Sequence, residues 1–158
     1  MNEDTTSGQF TTKHQSMSDS ELICCADPAM DDVQYLEDRI RAFNTAATGI
    51  TDGQWLAIFM RDNDQRIVAG ICGDTWGGCA EIRQFWVEEE RRGQGIGTRL
   101  LEAAEQEAHQ RGCRQMLITT FSFQAPGFYT KHGFEIVTMV NNHPHGHTSM
   151  LLRKKLGE

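Results

Sequence analysis

The chain has 158 residues, 15 Lys and Arg against 22 Asp and Glu, and a formal net charge of −7. That length suits one domain with an adequate core, and the acidic balance disfavours nucleic acid as the main partner. No apolar run approaches the roughly 20 residues that span a bilayer, so no membrane association is expected.

In chain order, residues 1–20 are polar, lack the apolar centre of a signal peptide, and read as a disordered tail ahead of a domain over 21–158. Glu21 to Ala26 is a short apolar run, readable as a first strand. Asp27-Pro28 resembles a helix start, with Asp as N-cap and Pro in the first turn. Val33, Leu36, Ile40 and Phe43 then recur at helical spacing until Thr48-Gly49. Trp55–Met60 and Arg66–Ile71 flank the turn Asp62-Asn63-Asp64-Gln65 and predict a hairpin. Cys79–Val87 predicts a third strand.

Arg91-Arg92-Gly93-Gln94-Gly95-Ile96-Gly97-Thr98 follows, between that strand and a predicted helix over Gly97–Arg111. The helix carries Ile96, Leu100, Ala104 and Ala108 at four-residue intervals and closes on Gly112. Glycines at 93, 95 and 97 let backbone N–H groups approach an anion that the helix dipole also attracts. No Lys-Ser/Thr pair follows, as a Walker phosphate loop requires. Leu100 stands where a dinucleotide fingerprint needs its third glycine. What remains is Arg92-x-x-Gly95-x-Gly97, a phosphate cradle of another kind or a plain turn.

Strand Gln115–Thr120, helix Ala125–His132, strand Phe134–Val140, loop Asn141–His147 and strand Thr148–Leu156 complete the order β-α-β-β-β-α-β-α-β-β. This is a mixed α/β sheet with helices on both faces, and the helix between Val87 and Gln115 makes those two strands parallel. The five cysteines lack metal spacing and read as reduced, mostly buried thiols of a cytoplasmic protein. His143, His145 and His147 alternate, but Pro144 and Gly146 make their segment a loop, so no metal is expected.

Phe128-Tyr129-Thr130-Lys131-His132-Gly133-Phe134 alone reads as helix–strand packing. With Arg92-x-x-Gly95-x-Gly97 before it, in this element order, the chain resembles the GNAT superfamily of acetyl-CoA-dependent N-acetyltransferases over roughly Glu21 to Leu156. The resemblance implies a mostly antiparallel sheet with one splayed parallel pair, and acetyl-CoA as cosubstrate without a metal.

It further implies that Arg92, Gly93, Gln94, Gly95, Ile96, Gly97 and Thr98 hold the pyrophosphate. The main chain of Phe85, Trp86 and Val87 would pair with the pantetheine arm, the N–H near Val87 polarising the thioester carbonyl. Phe128 would line the cofactor site. Ser122 stands where many members have an Asn that contacts the pantetheine. Tyr129 matches the acid for the leaving thiolate; Glu81 matches the base of some members, with water the alternative. Strand alternation would put Glu81, Arg83, Phe85 and Val87 on one face. The loop with His145 and His147 reads either as a polar surface loop or as a border of the acceptor site, where an imidazole could relay a proton. The reaction would be direct acetyl transfer to a small-molecule or peptide amine. A non-catalytic acetyl-CoA sensor, or an enzyme acting on a protein or aminoacyl-tRNA, are the alternatives. A homodimer is a candidate assembly.

Overall fold

The computed structural model describes residues 22–157. The chain forms two compact units, one ending at Ile40 and one over Arg41–Glu158, which holds the sheet. Expectations for residues 1–20 and for Glu21 fall outside the described residues. Leu22 to Ala26 is in no strand: Leu22 is 97% exposed, and an apolar run becomes a strand only where a neighbour pairs its amides. Helix α1 (Met30–Thr48) starts later than Asp27-Pro28, its first bonds running from the Asp32 and Val33 N–H groups to the Ala29 carbonyl. Asp31 and Asp32 complement the dipole in its first turn. The predicted stripe lies on α1, yet Leu36, Ile40 and Phe43 are exposed, and no residue of the helix is buried.

The larger unit is a six-stranded sheet built from β1 (Gln54–Arg61), β2 (Ile67–Trp76), β3 (Cys79–Val87), β4 (Gln115–Phe121), β5 (Glu135–Asn141) and β6 (Thr148–Lys155). The order across it is β1-β2-β3-β4-β6-β5. All pairs are antiparallel except β3–β4, which is parallel as the intervening helix α2 (Ile96–Gln110) demands. The β1–β2 hairpin closes on Asp62, whose carboxylate accepts from the Asp64 and Arg66 N–H groups; these bonds to the charged form hold its pKa below the usual carboxylate value. The second strand runs five residues beyond the predicted Ile71.

Helix α2 buries Ile96, Leu100, Leu101, Ala104 and Ala108 against Leu56, Ala69, Ile71, Ala80 and Ile82 of β1 to β3. At its end Gly112 takes a φ of 77°, its N–H bonding to the His109 carbonyl while that of Cys113 bonds to Ala108. A short helix α3 (Pro126–Lys131) inserts Tyr129 into the same core.

One irregularity shapes everything near the site. On β2–β3, Gly73 pairs with Ile82 and Cys72 with Gln84, so Arg83 is an extra residue, a β-bulge. Gly73 permits it: a Cβ there would stand 1.9 Å from the Glu81 carbonyl oxygen. The bulge resets the alternation. Ala80, Ile82, Phe85 and Val87 share the core face with Thr75, Gly73, Ile71 and Ala69, while Glu81, Gln84 and Trp86 lie on the other. The expected common face of Glu81, Phe85 and Val87 is therefore corrected: one inserted residue shifts the period-two pattern between them.

The cysteine expectation is also corrected. All five are free, but only Cys113 is buried; Cys72 and Cys79 are half-buried, and Cys24 and Cys25, in the segment that forms no strand, are exposed. Burial raises the thiol pKa of Cys113 and Cys79.

Candidate active site

Beyond the bulge β3 leaves β4. The parallel ladder runs from Cys79–Gln115 to Ile82–Ile118 and stops, although β4 goes on pairing with β6 as far as Phe121–Ser149. The Glu88 N–H bonds back to the Val68 carbonyl of β2. Antiparallel alternation then turns the Trp86 main chain toward Gly70 of β2, and the N–H and C=O of Phe85 and Val87 toward the gap. The Val87 carbonyl is taken by Arg92 Nε at 3.0 Å. Among the described residues the β3–β4 ladder offers no partner to the Val87 N–H or to either Phe85 group, since it ends at Ile82–Ile118.

The glycine turn borders the same gap. Gly93 and Gly95 have φ of 72° and 77°, where side chains are strained. Gly95 is the N-cap of α2, and the first helical bond runs from the Arg99 N–H to its carbonyl. The amides of Ile96, Gly97 and Thr98 thus have no acceptor inside the helix and point out of its positive end. Gly97 lies beside α3: a Cβ there would make ordinary van der Waals contact with the Phe128 ring at 3.6 Å.

These parts line one cavity of about 710 Å³, within the roughly 300–1,000 Å³ of small-molecule sites. Of the residues read from sequence it includes Phe85, Trp86, Val87, Arg92, Gly93, Gly95, Ile96, Gly97, Thr98, Phe128 and Tyr129. Its charged lining among the described residues is Arg83, Arg91 and Arg92, all cationic in a chain of net charge −7. Arg83 and Arg91 are each paired with a carboxylate, Asp74 at 2.9 Å and Glu88 at 2.8 Å, so an anion here would be met chiefly by Arg92 and the amides at the start of α2.

Other residues read from sequence lie outside the lining. Gln94 turns back to donate to the Glu90 carbonyl. Ser122 exchanges bonds with Thr148, its Oγ accepting from the Thr148 N–H at 3.1 Å. Glu81 sits on the face opposite Phe85 and Val87. His145 is on the exposed loop; His147 packs edge-on against Phe123, which does line the cavity, with centroids 4.8 Å apart.

The lining also includes residues that the sequence reading had not assigned to the site, Arg83, Phe123 and Gln124 among them. Arg83 enters because it is the bulge, and its guanidinium pairs with Asp74 at 2.9 Å. Gln124 caps the end of β4, its Oε1 accepting from the Phe121 N–H and the Thr120 hydroxyl. Phe123 stacks on Phe121. Gly73, placed one strand away, was the available clue to the bulge.

Tyr129 stands in an aromatic nest of Phe85, Phe128 and Phe134, with centroids 5.3–6.1 Å away. Burial pushes its phenol up to about 12, so it is protonated throughout the physiological range. It lines the cavity as a protonated phenol, able to donate a hydrogen bond.

Residues 20–134 match the Acetyltransferase (GNAT) family. The chain belongs to that family. It is an acetyltransferase, and the six-stranded sheet with one parallel pair is the family's fold. Blasticidin-S acetyltransferase of Streptomyces morookaense is 35% identical over 91 residues, covering 57% of this chain and 67% of its own. A solved acetyltransferase of Bacillus cereus ATCC 14579 has a TM-score of 0.70 and 28% identity, over 85% of this chain and 98% of that one. The structure of an aminoglycoside 6'-N-acetyltransferase complexed with coenzyme A has a TM-score of 0.59 and 21% identity, over 66% of this chain and 74% of that one, a likeness of fold. Among the described residues no helix is long and apolar enough to cross a membrane.

Proposed function

We propose that the cavity binds acetyl-CoA and that the enzyme transfers the acetyl group to a primary amine by direct attack in a ternary complex. The observation that carries this reading is a coincidence in one cavity. Three unpaired amides at the start of α2 suit a pyrophosphate, and free main-chain groups of Phe85 and Val87 suit the amides of a pantetheine arm. The solved relative that holds coenzyme A supports the choice of cofactor.

In this reading Arg92 has two tasks: its Nε holds the Val87 carbonyl and its charge faces the phosphates. The Val87 N–H hydrogen-bonds the thioester oxygen as the tetrahedral intermediate gathers charge. Tyr129 donates to the departing sulfur. The acceptor must arrive as a free amine. Of the two proton acceptors read from sequence, Glu81 and water, the placement of Glu81 outside the lining favours water. Rate arises chiefly from holding thioester and amine together.

The blasticidin-S relative makes small amines the first acceptors to try. The test incubates the full chain with acetyl-CoA and blasticidin S, an aminoglycoside, spermidine and a peptide with a free N-terminus, and reads product by mass. Acetylated amine with free coenzyme A supports the proposal. Tight acetyl-CoA binding with no product from any amine would overturn catalysis in favour of sensing. Product from the peptide alone would move the acceptor to a macromolecule.

A further inference from the structure

His132 lies just past α3 and joins the two halves of the site. Its Nδ1 is 2.8 Å from the Phe128 carbonyl, and its Nε2 is 3.1 Å from the hydroxyl of Thr98 in the first turn of α2. The ring also lies 4.3 Å, centroid to centroid, from that of Phe128. A carbonyl only accepts, so Nδ1 carries the proton. In the neutral ring Nε2 is then the acceptor, and Thr98 donates its one hydroxyl proton to it.

We infer that His132 is a positioning residue for Tyr129, tying the helix that carries the phenol to the anion-binding turn through Thr98. The backbone leaves this task to a side chain. Helix α3 has only six residues and no side-chain cap at its start. Its C-terminal bonds, from the His132 N–H and the Phe134 N–H to the Tyr129 carbonyl, are internal to the segment. The Phe128 ring stands beside Gly97, and apolar contact of that kind carries no direction of its own. Two directional bonds through an imidazole fix the register. They also commit the Thr98 hydroxyl proton, so Thr98 meets an anion by its backbone N–H and not its side chain. The inference rests on the acetyl-transfer reading only for its catalytic consequence.

The test has a structural and a kinetic arm. In the full chain labelled with 15N-histidine at pH 8, one imidazole should show a protonated Nδ1 and a bare Nε2. That signal should vanish in His132→Gln, and its Nε2 shift should move in Thr98→Val. A protonated Nε2 at His132 would overturn the inference. In thiol release from acetyl-CoA with whichever amine is acetylated, Thr98→Val and His132→Phe should each lower kcat roughly tenfold, with the KM for acetyl-CoA within about threefold. The double variant should lose no more than either single one, because both cut the same tether. His132→Gln, which keeps an acceptor for Thr98, should recover most of the kcat. Losses that multiply, or that fall on KM alone, would overturn it. If the wild type acetylates no amine, the transfer reading fails and the tether is judged on amide exchange: Thr98→Val should speed exchange of the Phe134 N–H about tenfold, and unchanged exchange refutes it.

Discussion

Replacing Tyr129 by Phe removes one oxygen and keeps the ring, so it isolates what the phenol contributes. The ring's contacts with Phe85, Phe128 and Phe134 persist, and the melting temperature should stay within about 2 °C of the wild type, since the change leaves packing intact. The phenol is held at about 12, whereas a thiol ionises near ~8.5. Handing its proton outright to a thiolate would be uphill by several kcal/mol, at ~1.36 kcal/mol per unit of pKa difference. Tyr129 therefore acts by hydrogen-bonding the sulfur as charge builds there, while the net proton comes from the nitrogen that has just been acylated. A hydrogen bond to a charged group contributes about 1.5–3 kcal/mol. Tyr129→Phe should then lower kcat roughly 10- to 150-fold with little change in acetyl-CoA affinity. The assay is thiol release from pH 6 to 10 with a saturating amine. Because the raised pKa keeps the donor in place below about 12, wild type and variant should show the same basic limb over that range. Equal kcat would remove the role. A basic limb present in the wild type and absent from the variant would mean that the phenol ionises far lower than its burial dictates.

Three further outcomes follow from the geometry. Gly73→Ala drives a Cβ to 1.9 Å from the Glu81 carbonyl oxygen, a backbone atom that cannot rotate away; it should destabilise by about 1–3 kcal/mol or more and lower the melting temperature by roughly 3–10 °C, and an unchanged melting curve would show that the strands part easily. Gly95→Ala meets no atom within 4 Å but must hold a φ of 77°; it should cost about 1–2 kcal/mol and weaken acetyl-CoA binding in calorimetry, whereas wild-type values in both would show that the turn tolerates a side chain. Glu81→Gln should leave the pH–rate profile unmoved, since Glu81 is outside the cavity; a shift of the acidic limb by a unit or more would make Glu81 the base.

Much of the fold was legible because local signals agreed with one another. Periodicity placed β1, β3 to β6 and α2 within a residue or so and missed the end of β2 by five, and of the turn and tyrosine singled out by the family resemblance, Arg92, Gly93, Gly95 to Thr98 and Tyr129 line one cavity. The failures have a common physical origin. Leu22 to Ala26 has the apolar letters of a strand, but a ladder needs a partner that no single segment reveals. Alternation along β3 was read as unbroken, and Arg83 looks like any strand residue; only its placement opposite Gly73 exposes it as an insertion. Phe123 and Gln124 reach the cavity from the turn between β4 and α3, whose path no local pattern reveals although the end of β4 was placed to within one residue. His132 read as one letter of a helix end, and its partner Thr98 stands 34 residues away.

The bulge at Arg83 also says something about how this cleft could be lost. A β3 shortened by that one residue would restore an even register against β2, and the strand could zip onto β4 past Ile82–Ile118. The unused amides of Phe85 and Val87 would find partners within the sheet, giving a better-bonded molecule with nowhere to seat a ligand. On the proposed reading, the cleft would depend on this mismatch in strand length, which Gly73 on the neighbouring strand permits. In a library of single-codon deletions, selection for thermal stability and selection for acetyl transfer would pull this position in opposite directions.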